Sequence, residues 1–160
     1  MRLLGVDPGS VSAAYAILDD RLNIVAVGDV PVVDRQVDAA NWHRLLITWR
    51  PDRAVIEQVS AMPKQGVSSS FRFGMGCGLL RGVIVAGGTP LDQVAPSKWK
   101  KAMGLDNDGE KSRALALRFW PGCALLSRKK DHGRAEALLL ARWCLETRQQ
   151  TILSVPDFFA

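Results

Sequence analysis

The chain has 160 residues, 48% of them hydrophobic, with a net charge of +5 and a mean hydropathy of +0.03. These values suit one globular domain, residues 1–160, with a full core, and exclude a disordered chain. No apolar run reaches the ~18 residues of a membrane span. The start, Met1 to Asp7, lacks the apolar core of a signal peptide, so a cytoplasmic protein with no membrane contact is expected. Cys77, Cys123 and Cys144 are odd in number and have no metal-ligand spacing, and they read as reduced core thiols.

Leu3, Leu4 and Val6 form a short apolar strand that Asp7 closes and Pro8-Gly9 turns away. A carboxylate at the end of a buried strand is costly unless a donor, a cation or a metal compensates it. An Asp-Pro-Gly turn alone accounts for the residue equally well. Ser12 to Leu18 and Leu22 to Val30 read as two further strands, linked by the Asp19-Asp20 turn into an antiparallel meander. Pro31 to Asp38 is polar and reads as a loop. Ala39 to Trp49 places Trp42, Leu45, Leu46 and Trp49 at helical spacing.

Arg53 to Glu57 is a second short apolar strand ending in an acid. It follows a helix, so a crossover should set it parallel to the first strand. Asp7 and Glu57 then meet at the carboxyl edge of the sheet, where open α/β sheets bind ligands. Ser60 to Ser70 reads as a mobile loop beside that edge. Phe71 to Ala86 reads as a helix whose Gly74, Gly76, Gly78 and Gly82 make a small-residue face, ended by Gly87-Gly88. Such glycines cost helix propensity that packing must offset.

Leu91 to Val94 is a short strand, and Pro96 starts a basic helix that ends near Gly104. Glu110 to Trp120 is a helix carrying Lys111, Arg113 and Arg118. From Lys98 to Arg148 there are twelve Lys and Arg against six Asp and Glu, a balance suited to a polyanion such as nucleic acid. The last helix begins near Asp131. Its Glu136 sits among Ala135, Ala137 and Leu138 to Ala141, where an acid should be buried and compensated. Asp131 can cap this helix or reach the same place. Asp7, Glu57, Asp131 and Glu136 in one dry cluster cannot all be ionised without cations. Hard divalent metals with oxygen ligands resolve that conflict, and two such ions serve in-line hydrolysis of a phosphodiester.

Three stretches in this order, Leu4-Gly5-Val6-Asp7-Pro8-Gly9, Val55-Ile56-Glu57-Gln58-Val59 and Asp131-His132-Gly133-Arg134-Ala135-Glu136-Ala137-Leu138, resemble the RuvC family of Holliday-junction resolvases, nearest its phage-type branch. The resemblance spans essentially the whole chain. It implies a ribonuclease-H-like α/β fold, a mixed five-stranded sheet with helices on both faces. It also implies a homodimer that cuts four-way junction or branched DNA with Mg2+, for which Mn2+ substitutes, and two ions per active site.

By position, Asp7, Glu57 and Glu136 match the family's metal-binding acids. Bacterial members usually carry an acid or histidine three residues before the last acid, where this chain has Gly133. Asp131 or His132 is left to take that role, and Asp131 is preferred as the harder oxygen ligand. Lys111 resembles a family basic residue near the scissile phosphate, and Lys100 is a weaker match of that kind. Ser60 stands where bacterial members often carry a junction-centre aromatic, with Phe71 and Phe73 further on.

Other readings compete. The Gly5 to Gly9 turn also resembles the phosphate loop of sugar-kinase and actin-like ATPases, but those need two lobes and a much longer chain. A ribonuclease H acting on RNA–DNA hybrids shares fold and acids, and fold alone does not separate the two. A non-catalytic DNA-binding module would not gather acids in a basic protein.

Overall fold

The structure, a computed structural model, describes residues 1–9, 12–60 and 66–153, with side chains described as far as residue 148. Five strands form one mixed sheet in the order β3-β2-β1-β6-β7. These are β1 (Arg2–Asp7), β2 (Ala14–Asp19), β3 (Ile24–Asp29), β6 (Arg53–Glu57) and β7 (Leu91–Val94). The first three make the expected antiparallel meander, and β6 lies parallel to both β1 and β7. Five helices follow or interleave: α1 (Ala39–Trp49), α2 (Val67–Ala86), α3 (Pro96–Ala102), α4 (Gly109–Phe119) and α5 (His132–Leu153).

The period-2 alternation of the central strands explains why both faces are covered. Leu3 of β1, Val55 of β6 and Leu18 of β2 point to one face, where α5, α3 and α4 pack through Leu138, Trp99 and Ala116. Leu4, Val6, Ala54 and Ile56 point to the other, against Trp42 and Leu46 of α1 and Leu80 and Ile84 of α2. By the same alternation Gly5, Asp7 and Glu57 face α5. Gly5 has no side chain because α5 lies directly on it: a Cβ there would stand 2.3 Å from the Ala137 carbonyl oxygen. This close approach brings the start of α5 against the end of β1.

The structure departs from the expected elements in three places. Pro31 to Asp38 is not all loop: β4 (Val32–Val33) and β5 (Gln36–Val37) form a small hairpin. Helix α2 begins at Val67, so the last part of the expected Ser60–Ser70 loop is helical. Serine is tolerated in a first helical turn although it is poor further in; residues 61–65 lie outside the described part. The four glycines of α2 do not share a face. A Cβ on Gly74, Gly78 or Gly82 would meet nothing, whereas one on Gly76 would meet Val37 of β5 at 3.8 Å. Cys77, Cys123 and Cys144 are free thiols. No helix among the described residues is long and apolar enough to cross a membrane.

Candidate active site

Asp7 and Glu57 end neighbouring parallel strands, and Glu136 lies one turn into α5. One carboxylate oxygen from each comes within 4.8 Å of the others. Asp7 and Glu136 are each only 8% exposed. Each acid is held by a different neighbour. The Gly9 backbone N–H donates to Asp7 Oδ1 at 3.2 Å. The Trp99 indole N–H donates to Glu57 Oε1 at 2.9 Å. Lys100 Nζ bridges both oxygens of Glu136 at 3.0 and 3.1 Å, and the Ser112 hydroxyl donates to Glu136 Oε1 at 2.9 Å. One short helix, α3, therefore serves two of the three acids through consecutive residues.

The electrostatics follow from this packing. Burial, reinforced by the Glu136 and Glu57 carboxylates, pushes the Asp7 carboxyl from 3.8 up to about 7, against the opposing pull of the Gly9 N–H and of Lys100. Burial also raises Glu57, opposed by the Trp99 hydrogen bond and by Lys100. Three carboxylates share one buried cation. A donor set of hard oxygens with an excess of negative charge fits a divalent ion such as magnesium. Asp7 and Glu136 open into a cleft of about 350 Å³ whose lining includes Asn107 to Glu110, Lys129 and His132.

The fold has close counterparts. RuvC of T. thermophilus, solved with a Holliday junction substrate, superposes with a TM-score of 0.71 over 94% of this chain and 97% of that one, at 17% identity. The chain has the RuvC fold. The fowlpox virus Holliday junction resolvase superposes with a TM-score of 0.60 over 92% of this chain and 99% of that one, also at 17% identity. In sequence, a segment is 39% identical over 82 residues to the chloroplastic Holliday junction resolvase MOC1 of Chlamydomonas reinhardtii. That match takes in 49% of this chain and 9% of that much longer protein. No family model matches the chain.

On this RuvC fold the candidate residues separate into those brought together and those kept apart. Asp7, Glu57 and Glu136 form the cluster. Asp131 does not join them. Helix α5 begins at His132, which leaves Asp131 in the preceding 3-10 turn (Lys129–Asp131). There its carboxylate accepts from the Arg128 backbone N–H at 2.8 Å and from Arg128 Nη2 at 2.7 Å, with Arg134 Nη1 at 3.6 Å. The Arg128 guanidinium holds the Asp131 carboxyl below its ordinary value. The preference for Asp131 as a fourth acid thus meets a carboxylate already committed to two arginines. His132 lines the cleft instead. At Gly133 a Cβ would stand 3.0 Å from Asp7 Oδ2, so that α5 position directly faces the acids but presents no ligand.

The two lysines sit in different surroundings. Lys111 is exposed and paired with Asp106, while Lys100 is buried on Glu136. Trp99 and Ser112 are partners of the acids that the sequence does not mark. Nothing in their local pattern separates them from ordinary core residues.

Because Asp131 ties down the turn before α5, Asp131→Asn should lower stability more than chemistry. The loss of a cap-like carboxylate is worth about 1 kcal/mol. Thermal melting should therefore shift down by a few degrees, with cleavage by the folded protein within a few-fold of the parent.

Proposed function

We propose that the chain is a structure-selective DNA endonuclease that resolves Holliday junctions by paired, metal-dependent phosphodiester hydrolysis. The observation that carries this is the cluster of buried Asp7 and Glu136 with half-buried Glu57, Lys100 paired to Glu136, at the carboxyl edge of a RuvC-fold sheet. The relatives of like fold and sequence are resolvases by name. The chain spans about a tenth of the curated relative it matches, so the activity is inferred from the site and not transferred from that protein.

In this reading residues 1–160 are one nuclease domain, and Asp7, Glu57 and Glu136 hold Mg2+, with Mn2+ as a substitute and two ions per site. A divalent ion bound there supplies Lewis-acid stabilisation of charge on the phosphoryl oxygens. The chain's own groups do the rest. Gly9, Trp99 and Ser112 fix the orientation of the three carboxylates, and such outer partners tune ligand geometry. Lys100 pairs with both oxygens of Glu136 and places positive charge at the cleft. His132 lines the cleft with its Nδ1 3.3 Å from the Lys129 carbonyl oxygen, and an imidazole there suits proton transfer. Lys111, Lys129 and Lys130 add phosphate contacts around it.

Two opposed cuts in a four-way junction call for two sites related by a two-fold axis, so the protein acts as a homodimer. Helix α2 offers the surface. Val67, Phe71, Met75 and Val85 are exposed along one side of it, and Gly74, Gly78 and Gly82 stand open on the helix, which permits close approach of a second copy.

The test is cleavage of labelled four-way junction, linear duplex and RNA–DNA hybrid by the purified protein in magnesium. The proposal expects symmetric nicks in the junction and little cutting of the others. Preferential cutting of the hybrid would move the reading to a ribonuclease H.

A further inference from the structure

Beside the acid cleft lies a second hollow of about 390 Å³, and the two share Gly9 in their walls. It runs between the β4–β5 hairpin and α2. Two arginines, Arg35 and Arg72, line it, and no acidic residue does. Both are exposed, and neither guanidinium has a hydrogen bond or ion pair among the described residues. Two unneutralised cations on one concave wall favour an anionic ligand.

Arg35 is also placed at a cost to the fold. Asp34 and Arg35 are the two central residues of the turn that joins Val33 to Gln36, with φ of +48° and +62°. Such turns prefer glycine, above all at the second position, because a side chain is strained at positive φ. The backbone gains nothing from arginine there. The lining also includes apolar Val32, Val37 and Phe73, along with polar Ser12, Gln36 and Ser69. The hollow thus offers cations for a phosphate and an apolar surface for a sugar or base.

We propose that this hollow receives the phosphodiester that flanks the scissile one on the strand being cut, with Arg35 and Arg72 as its contacts. The proposal rests on the nuclease reading above. A strand whose scissile phosphate lies at Asp7, Glu57 and Glu136 passes over Gly9 on its way into the hollow. These contacts fix the register of the strand without reading its sequence.

The experiment measures the affinity of a four-way junction in chelator, across a salt series, for the parent, Arg35→Gly, Arg72→Gln and the double variant. Each single variant should bind about tenfold more weakly and lose about one unit of salt slope. Arg35→Gly should also melt no lower than the parent, because glycine relieves the turn; weaker binding then has no unfolding explanation. In a second arm, a neutral methylphosphonate at the phosphate next to the cut site should weaken the parent but not the double variant.

Parent-like affinity and salt slope in either single variant would overturn the paired site, and so would a methylphosphonate penalty that persists in the double variant. If thymidine 3′,5′-bisphosphate binds through Arg35 and Arg72 while junction affinity ignores them, the hollow is a nucleotide site and the proposal falls. A parent protein that neither binds nor cuts DNA overturns the nuclease reading itself, and this proposal with it.

Discussion

Asp7→Asn should abolish cleavage and at the same time raise the melting temperature of the metal-free protein. Asp7 titrates at about 7 in the fold against 3.8 ordinarily. Folding therefore favours its protonated form. That stabilisation is complete below about pH 4 and is lost as the pH rises through 7. At pH 8 the parent folds with an ionised carboxylate buried beside Glu57 and Glu136. The shift corresponds to roughly 4 kcal/mol. Asparagine has the same shape, carries no charge and can donate to a neighbouring carboxylate. Melting in chelator at pH 8 should rise by about 5 °C or more, since ~1 kcal/mol moves a domain of this size by ~2–4 °C, and the gain should shrink toward pH 5. Magnesium should stabilise the parent and leave the variant unmoved. A variant that melts lower than the parent at pH 8, or that still cuts, would show that Asp7 is not the strained member of a metal site.

Lys100→Met should produce the opposite change in stability. Lys100 is the cation that bridges both oxygens of Glu136, and both side chains are 10% exposed. Methionine keeps most of the volume but leaves Glu136 uncompensated next to Asp7 and Glu57. Removing one partner of a buried pair costs about 3–5 kcal/mol, so the metal-free variant should melt roughly 10 °C lower at neutral pH. Divalent cation should restore much of that loss by taking over the neutralisation. With saturating magnesium, cleavage should still fall roughly 10- to 100-fold, the usual effect of losing a group that orients a ligand. Melting curves with and without magnesium separate the two contributions. A variant as stable as the parent in chelator would mean that the pair contributes no net compensation.

Much of this site is legible in the sequence, and the residues show why. Asp7 and Glu57 each close a run of apolar residues too short for anything but a buried strand, and the helix between them dictates parallel strands. Glu136 is conspicuous as one acid among alanines and leucines. These signals are local, and the fold turns each into a position. Lys100 gives no such signal. It sits in Lys98-Trp99-Lys100-Lys101, which reads as a solvated basic helix, and only the packing of α3 onto α5 buries one lysine of the three. Trp99 is equally silent, since a core tryptophan and a carboxylate donor look alike in sequence. For Asp131 the spacing allows both a cap and a ligand. The tertiary structure decides through Arg128 and Arg134, whose side chains take up the carboxylate. The β4–β5 hairpin escapes notice because Asp34-Arg35 lacks the glycine that ordinarily marks a two-residue turn.

The most direct measurement is metal add-back on a doubly labelled four-way junction. The parent protein is first stripped with chelator, then given magnesium at increasing concentration, and both opposed strands are followed together. The three-carboxylate site predicts no cutting in chelator and paired nicks that appear with magnesium, at symmetric positions in the two strands. Cutting that persists in chelator would contradict it.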